Sequence, residues 1–133
     1  MHRTHYVLLL TMLLAGCSGG EAMFDVNGTV KYSDGDPVTG ELATIVFQPD
    51  AASVNIPAKS ASGTINPDGS FTLMTSEPGD GAHAGDYKVI LKVWADYRGQ
   101  KLAVPERYSD VSQTPLRATV SRDSTEFEFL IDR

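Results

Sequence analysis

Apolar and polar residues alternate along most of the chain with a period of two, which predicts β-strands rather than amphipathic helices. The longest alternating segment covers residues 86–95 and has apolar side chains at its odd positions. Its even positions place Lys88, Ile90, Lys92 and Trp94 on the opposite face. About seven short strands in one domain predict an all-β, immunoglobulin-like sandwich with Greek-key connections. The other strands are predicted at 24–32, 43–48, 62–65, 71–75, 116–121 and 125–132.

Turn residues separate these predicted strands. Residues 66–69 are Asn-Pro-Asp-Gly, and an Asp-Gly pair between two alternating runs is a strong signal for a β-hairpin. Residues 122–124 separate the last two strands and predict a second hairpin there. The sequence therefore predicts that each turn joins two paired strands.

The charges of two strands suggest a cross-strand patch. Lys88 and Lys92 lie on the outward side of one predicted strand, and Glu126 and Glu128 lie on the outward side of the last strand. If these strands are antiparallel neighbours, the four side chains pair on one exposed face. We expect such a patch mainly to fix the strand register and to keep the surface soluble.

The inward positions of the strands supply the predicted core. Gly28 shares the inward side of its strand with Val26 and Val30, which leaves space there for a neighbouring backbone or a large side chain. The remaining inward positions are large and apolar, as two packed sheets require. We expect burial of Ile45, Phe47, Ile65, Phe71, Leu73, Tyr87, Val89, Leu91, Val93, Val120, Phe127 and Phe129.

The first sixteen residues have the features of a secretory signal peptide. Arg3 gives a basic start, residues 6–14 form an apolar run, and Ala15 and Gly16 form a small-residue cleavage site. The apolar run is much shorter than the roughly 20 residues of a membrane-spanning helix. We therefore predict that residues 1–16 are removed.

The only cysteine, Cys17, directly follows this segment. Residues 14–17 (LAGC) resemble the bacterial lipobox. The resemblance implies diacylglyceryl transfer to the Cys17 sulfur and cleavage before it, so that residues 17–23 form a flexible tether to the lipid bilayer. Ser18 is not the Asp that, by the same resemblance, retains such proteins in the inner membrane. In a cell with two membranes we expect the outer membrane.

Composition excludes several function classes. Signal removal takes away Arg3 and no acidic residue, so the formal net charge of −6 becomes −7. A negative chain disfavours nucleic acid as a partner. His83 is the only histidine left, so we expect no zinc site and no catalytic residues, and we interpret it as a solvated loop side chain.

Two acidic loops leave calcium binding open as an alternative. The acids lie in two turn-rich segments, and carboxylate oxygens are the ligands that calcium prefers. Their spacing does not fit an EF-hand, and such acids more often close turns. We therefore expect no cofactor. The acids are Asp34, Asp36, Glu77 and Asp80.

Three longer stretches resemble the carboxypeptidase regulatory-like domain, a transthyretin-like β-sandwich. They are residues 26–49 (VNGTVKYSDGDPVTGELATIVFQP), 61–75 (ASGTINPDGSFTLMT) and 81–93 (GAHAGDYKVILKV). Residues 104–120 (VPERYSDVSQTPLRATV) resemble the C-terminal part of small lipoproteins built from one such domain. The resemblance implies that residues 24–133 form this domain, and its motifs are turns and core positions rather than catalytic groups.

These observations favour a membrane-tethered envelope lipoprotein that acts as a non-enzymatic binding or structural interaction module. Lys88, Ile90, Lys92 and Trp94 form the candidate binding face, with an envelope protein or a glycan as its partner. A small-molecule or carbohydrate-binding accessory protein is the alternative. A transthyretin-like hydrolase is a third interpretation, because residues 97–100 (YRGQ) resemble a signature of hydroxyisourate hydrolase. That signature ends the enzyme, however, whereas 34 residues follow Gly99 here.

Lipidation of Cys17 can be tested directly. Mass spectrometry of the native N-terminus should find an acylated Cys17 and no residues 1–16, because the thiol is the acceptor that the lipobox chemistry requires. Cys17→Ser should release the protein from membranes or stall its processing, whereas Ser18→Ala should leave both unchanged. A mature soluble protein with a free thiol would refute the tether.

Overall fold

The computed structural model describes residues 22–50 and 59–133, which form ten β-strands and one 3-10 helix, Glu106–Ser109. The predicted signal peptide and Cys17 lie outside the described residues. The strands are β1 (Met23–Phe24), β2 (Asn27–Tyr32), β3 (Leu42–Pro49), β4 (Ala61–Thr64), β5 (Ser70–Thr72), β6 (Ala82–His83), β7 (Gly85–Asp96), β8 (Lys101–Leu102), β9 (Arg117–Val120) and β10 (Glu126–Ile131).

Two sheets enclose one hydrophobic core. The three-stranded sheet has the order β10-β2-β5, and β2 and β10 pair in parallel. The five-stranded sheet has the order β4-β3-β7-β8, and β9 also pairs with β7. Buried side chains from both sheets form a single cluster, so the predicted all-β sandwich is confirmed. The short strands β1 and β6 pair separately.

The ring of Phe47, in the middle of β3, joins the two sheets. Its centroid lies 6.2 Å from that of Phe71 and 5.9 Å from that of Phe129, both in the three-stranded sheet. The rings of Phe127 and Tyr87 are 5.6 and 5.7 Å away. Tilted and edge-to-face pairs at such distances are each worth roughly 0.5–1.5 kcal/mol beyond the burial of their area. Phe47 therefore contacts aromatic rings of both layers.

The predicted core is confirmed at every position except one. Phe127 is half-buried, whereas the other eleven predicted core residues are buried. The space expected at Gly28 is also present, because a Cβ atom there would collide with the carbonyl oxygen of Phe127. Period-two alternation therefore identified the inward side of each predicted strand correctly.

The pairing predicted for the first hairpin is largely wrong. The turn itself forms as expected, since the N–H of Gly69 donates to the carbonyl of Asn66 at 2.8 Å and Gly69 has φ 86°. However, β4 belongs to the five-stranded sheet and β5 to the three-stranded sheet, and one bridge, Ser62–Met74, links the two arms. The turn therefore carries the chain from one layer to the other.

The last predicted hairpin is wrong for the same reason. β9 pairs with β7 in the five-stranded sheet, whereas β10 pairs with β2 in the other layer. A bridge between Ser121 and Ser124 closes the tight turn. Both strands turn their apolar sides to the shared core, and the alternation is the same whichever sheet a strand joins.

Burial of the aromatic cluster predicts a large effect of core truncation. Phe71→Ala should lower the free energy of unfolding by about 3–5 kcal/mol, because the ring is 1% exposed and packs between the sheets. Phe127→Ala should cost less, because Phe127 is half-buried. Urea denaturation followed by Trp94 fluorescence measures both. Equal losses, or a loss below about 1 kcal/mol for Phe71→Ala, would contradict this account of the core.

Candidate functional site

The outer face of the five-stranded sheet carries an apolar row at one end. Trp94 of β7 pairs with Leu42 of β3 on one side and with Leu102 of β8 on the other. Residues directly opposite each other in antiparallel strands share a face. The three side chains are therefore neighbours, and Leu42 is 46% exposed while Trp94 and Leu102 are partly exposed.

Tyr97 extends this row beyond the end of β7. Its ring centroid lies 6.2 Å from that of Trp94, and the ring planes meet at 82°. This edge-to-face geometry is favourable for aromatic pairs, and it leaves Tyr97 56% exposed. We call Leu42, Trp94, Tyr97 and Leu102 the aromatic patch.

Backbone hydrogen bonds hold the turn that presents Tyr97. The N–H of Tyr97 donates to Oε2 of Glu41 at 2.9 Å, and the N–H of Gly99 donates to Oδ1 of Asp96 at the same distance. The N–H of Gln100 closes the turn onto the carbonyl of Tyr97 at 3.3 Å. An exposed aromatic residue in an already ordered turn loses less entropy when a ligand binds.

The candidate binding face is only partly available to a partner. Lys88, Ile90, Lys92 and Trp94 lie on the same side of β7, opposite the core side chains, as predicted. Ile90 is nevertheless buried, with 6% exposure, and its partner Val46 on β3 is half-buried. The expectation that Ile90 contacts a partner is therefore wrong. Strand alternation predicts the face of a residue but not what else covers that face.

The predicted charged patch does not exist. Lys88 and Lys92 belong to β7 of the five-stranded sheet, whereas Glu126 and Glu128 belong to β10 of the three-stranded sheet. Because each pair points away from the shared core, the lysines and the glutamates lie on opposite outer faces of the sandwich. The assumption that β7 and β10 are neighbours caused the error.

His83 is buried rather than solvated, which corrects the sequence interpretation. It lies in β6, pairs with Met23 of β1 and is 7% exposed. Its carbonyl accepts a 2.7 Å hydrogen bond from the hydroxyl of Tyr87, and burial raises the pKa of that hydroxyl. Pairing with β1 turns the expected loop into a strand. Among the residues that the structure describes, no group of three or more His, Cys, Asp or Glu side chains is placed to hold a metal ion.

The acids of the first loop contact a guanidinium group. Nη2 of Arg133 lies 3.1 Å from Oδ2 of Asp34 and 3.0 Å from Oδ2 of Asp36. The same group stacks over the ring of Tyr32 at 4.1 Å from its centroid. The pKa of Asp34 is lowered, chiefly by the N–H of Asp36 and also by Arg133. These carboxylates therefore bind a cationic side chain of the same domain.

Asp80 organises the second acidic loop through backbone donors. Its Oδ1 accepts a 2.7 Å hydrogen bond from the N–H of Thr75, and its Oδ2 accepts bonds of 2.8 and 2.9 Å from the N–H groups of Ser76 and Glu77. These bonds, that of Thr75 first, hold the pKa of Asp80 below its usual value. Asp80 thus closes a turn.

A shallow groove of about 420 Å³ lies where β4 and β5 separate. Hydroxyl and amide side chains line it, and none of its lining residues is charged or aromatic. Such a groove offers hydrogen bonds but no stacking surface, so the aromatic patch is the better candidate site. The polar lining residues are Thr44, Ser62, Thr64, Asn66 and Thr72.

Comparisons with protein-family models, with curated proteins and with solved structures find no match to this chain. Within residues 22–50 and 59–133, the structure has no helix that is long and apolar enough to cross a membrane.

Sequence reasoning found Trp94 but missed the rest of the aromatic patch. Leu42 and Leu102 become neighbours of Trp94 only through the register of β3 and β8 on β7. Tyr97 lies in an irregular segment where no strand pattern was visible. A usable signal was the three-residue spacing of Trp94, near the end of the predicted strand, and Tyr97, just beyond that end.

The hydrogen bonds of Asp80 predict a pH-dependent contribution to stability. This contribution is present above the unfolded-state pKa of about 3.8 and is lost as the pH falls through the lower pKa of the folded state. Asp80→Asn should therefore lower stability at pH 7 and reduce the loss between pH 7 and pH 3. Urea denaturation at both pH values measures this, with Asp123→Asn in an exposed turn as the control. An acid dependence unchanged from the native chain would contradict the role of Asp80.

Proposed function

We propose that the protein is a lipid-anchored lipoprotein of a bacterial cell envelope, whose β-sandwich is a non-enzymatic binding module. The aromatic patch is its contact surface. The lipobox-like residues 14–17 support the anchor, and the resemblance to carboxypeptidase regulatory-like domains supports a transthyretin-like sandwich without catalytic groups. The partner is an envelope protein or a glycan.

The observation that carries this proposal is the position of the aromatic patch relative to β1. β1, the first strand after the proposed tether, pairs with β6, and β7 begins two residues after His83. Trp94 lies nine residues along β7 from Gly85, a distance of roughly 30 Å in an extended strand. A domain tethered at the β1 end therefore presents the patch at its far end, away from the bilayer.

A carbohydrate-binding accessory protein is the second candidate, and the Trp94–Tyr97 pair favours it. The two rings are nearly perpendicular, Tyr97 is exposed and Trp94 is partly exposed, so an indole or phenol face is available for stacking. Aromatic faces carry negative potential that attracts the C–H groups of a sugar ring. A protein partner would use the same residues as a small apolar centre with a polar rim.

Site-specific photocrosslinking tests the binding surface. A benzoyl-phenylalanine at position 98, in the same turn as Tyr97, should capture a partner in intact envelopes. Trp94→Ala should reduce this adduct about tenfold, as expected for a hot-spot residue. It should leave the melting temperature nearly unchanged, because Trp94 lies outside the core cluster.

Position 130 is the matched control for this experiment. Leu130 is 54% exposed on the outer face of the three-stranded sheet, so the same probe there should give no adduct that depends on Trp94. Equal Trp94-independent capture at both positions would contradict the proposed contact surface. Unfolding of the Trp94→Ala variant would instead assign Trp94 to packing and would also count against the proposal.

A further inference from the structure

The two outer faces of the sandwich carry opposite charges. Lys88, Lys92 and Arg117 project from β7 and β9 on the outer side of the five-stranded sheet, which we call the basic face. Glu126, Glu128 and Lys31 project from the outer side of the three-stranded sheet, where the acids outnumber the lysine. The chain as a whole has a formal net charge of −6, so the basic face is a local exception.

Two cations of the basic face are directly opposed. Lys88 of β7 lies directly opposite Arg117 of β9. Two like charges in this arrangement destabilise a sheet. In the part of the chain that the structure describes, neither residue has a carboxylate within ion-pair distance. Residues 51–58, which the structure does not describe, contain no charged side chain. Among the described residues, the repulsion between Lys88 and Arg117 is thus not relieved by an ion pair.

Three carboxylates in or next to the strands of the five-stranded sheet accept hydrogen bonds from the domain. Asp86 lies two residues before Lys88 on the same side of β7, and its Oδ1 accepts a 2.6 Å hydrogen bond from the hydroxyl of Thr119. Glu41 and Asp96 accept backbone N–H groups at the turn that presents Tyr97. Nη1 of Arg117 is oriented by the carbonyl of Thr114 at 2.9 Å. Asp86 is therefore an acidic residue of this face, and the three cations of the basic face outnumber it.

The basic face borders the aromatic patch at Lys92. Lys92 lies two residues before Trp94 on the same side of β7, and Lys88 lies four residues before Lys92, roughly 13 Å away. The surface between Lys88 and Lys92 is not accessible, because Ile90, which lies between them on this side of β7, is buried. A ligand that contacts all these groups must be extended, with negative charges spaced along it and a flat unit at the Trp94 end.

We propose that this face binds an acidic glycan, a polymer of sugar rings that carry carboxylate groups. Sugar rings stack on Trp94 and Tyr97, and carboxylates pair with Lys92 and with the Lys88–Arg117 pair. This inference rests on the proposed function and names the ligand class of its binding surface. An acidic protein is less suited as the ligand. A stable protein interface buries about 800 Å² on each partner, whereas the exposed surface here is interrupted at the buried Ile90.

Three polymers distinguish the ligand classes in a binding experiment on the immobilised full chain. Polygalacturonate carries carboxylates on sugar rings, dextran is an uncharged glycan, and polyglutamate is an acidic polypeptide. We expect polygalacturonate to bind, dextran to bind much more weakly, and raised salt to weaken polygalacturonate binding by screening. Lys88→Gln/Arg117→Gln and Trp94→Ala should each weaken it about tenfold or more.

Two control measurements separate binding from stability. Lys31→Gln, on the outer face of the three-stranded sheet, should leave polygalacturonate binding unchanged. Lys88→Gln should keep or raise the melting temperature while it weakens binding, because it removes the opposed charge. A melting temperature that falls together with binding would mean that Lys88 serves the fold and would overturn its assignment to the ligand.

The remaining outcomes each overturn the acidic glycan. Equal binding of dextran would show that charge plays no part, and equal binding of polyglutamate with no effect of Trp94→Ala would indicate an acidic polypeptide. Absence of binding to all three polymers would also refute the inference. If a Trp94-dependent crosslink at position 98 persists in that case, the binding module stands and only its proposed ligand class fails.

Discussion

The packing of Phe47 between the two sheets is the interaction on which the rest of the structure depends. Its ring contacts the rings of Phe71, Phe127 and Phe129 in one layer and of Tyr87 in its own. These contacts fix the inward side of β3 and β7, and the pleat then fixes the outward side. The position of Trp94 on the surface is thus a consequence of where the aromatic core lies.

Separation of the strands into two layers also determines the charge distribution. Lys88 and Glu128 belong to strands whose apolar sides share one core, so their polar sides point in opposite directions. Charges that would neutralise each other in a single sheet instead give the sandwich a basic and an acidic face. The same separation makes the turn at 66–69 and the turn at 122–124 connections between layers.

Three acidic residues close turns through hydrogen bonds. Asp68 and Asp110 each accept hydrogen bonds from the hydroxyl and N–H of a serine two residues later, and Asp80 accepts three N–H groups. These bonds hold the pKa values of all three below the usual range, with the serine hydroxyl as the largest cause at Asp68 and Asp110. An acidic composition is therefore compatible with a basic binding face.

Sequence alone determined the longer strands, nearly all of their inward residues and the tight turns, because alternation and turn chemistry are local properties of the chain; it missed the two-residue strands β6 and β8, which exist only through pairing. It also gave the lipobox-like segment, whose prediction rests on order along the chain and not on folding. Only the tertiary structure decided which strands are neighbours, because a strand with one apolar side fits either layer equally well. That choice placed Leu42 and Leu102 beside Trp94, opposed Lys88 to Arg117 and buried Ile90 and His83. Each of these depends on register between distant segments, which no local pattern of side chains encodes.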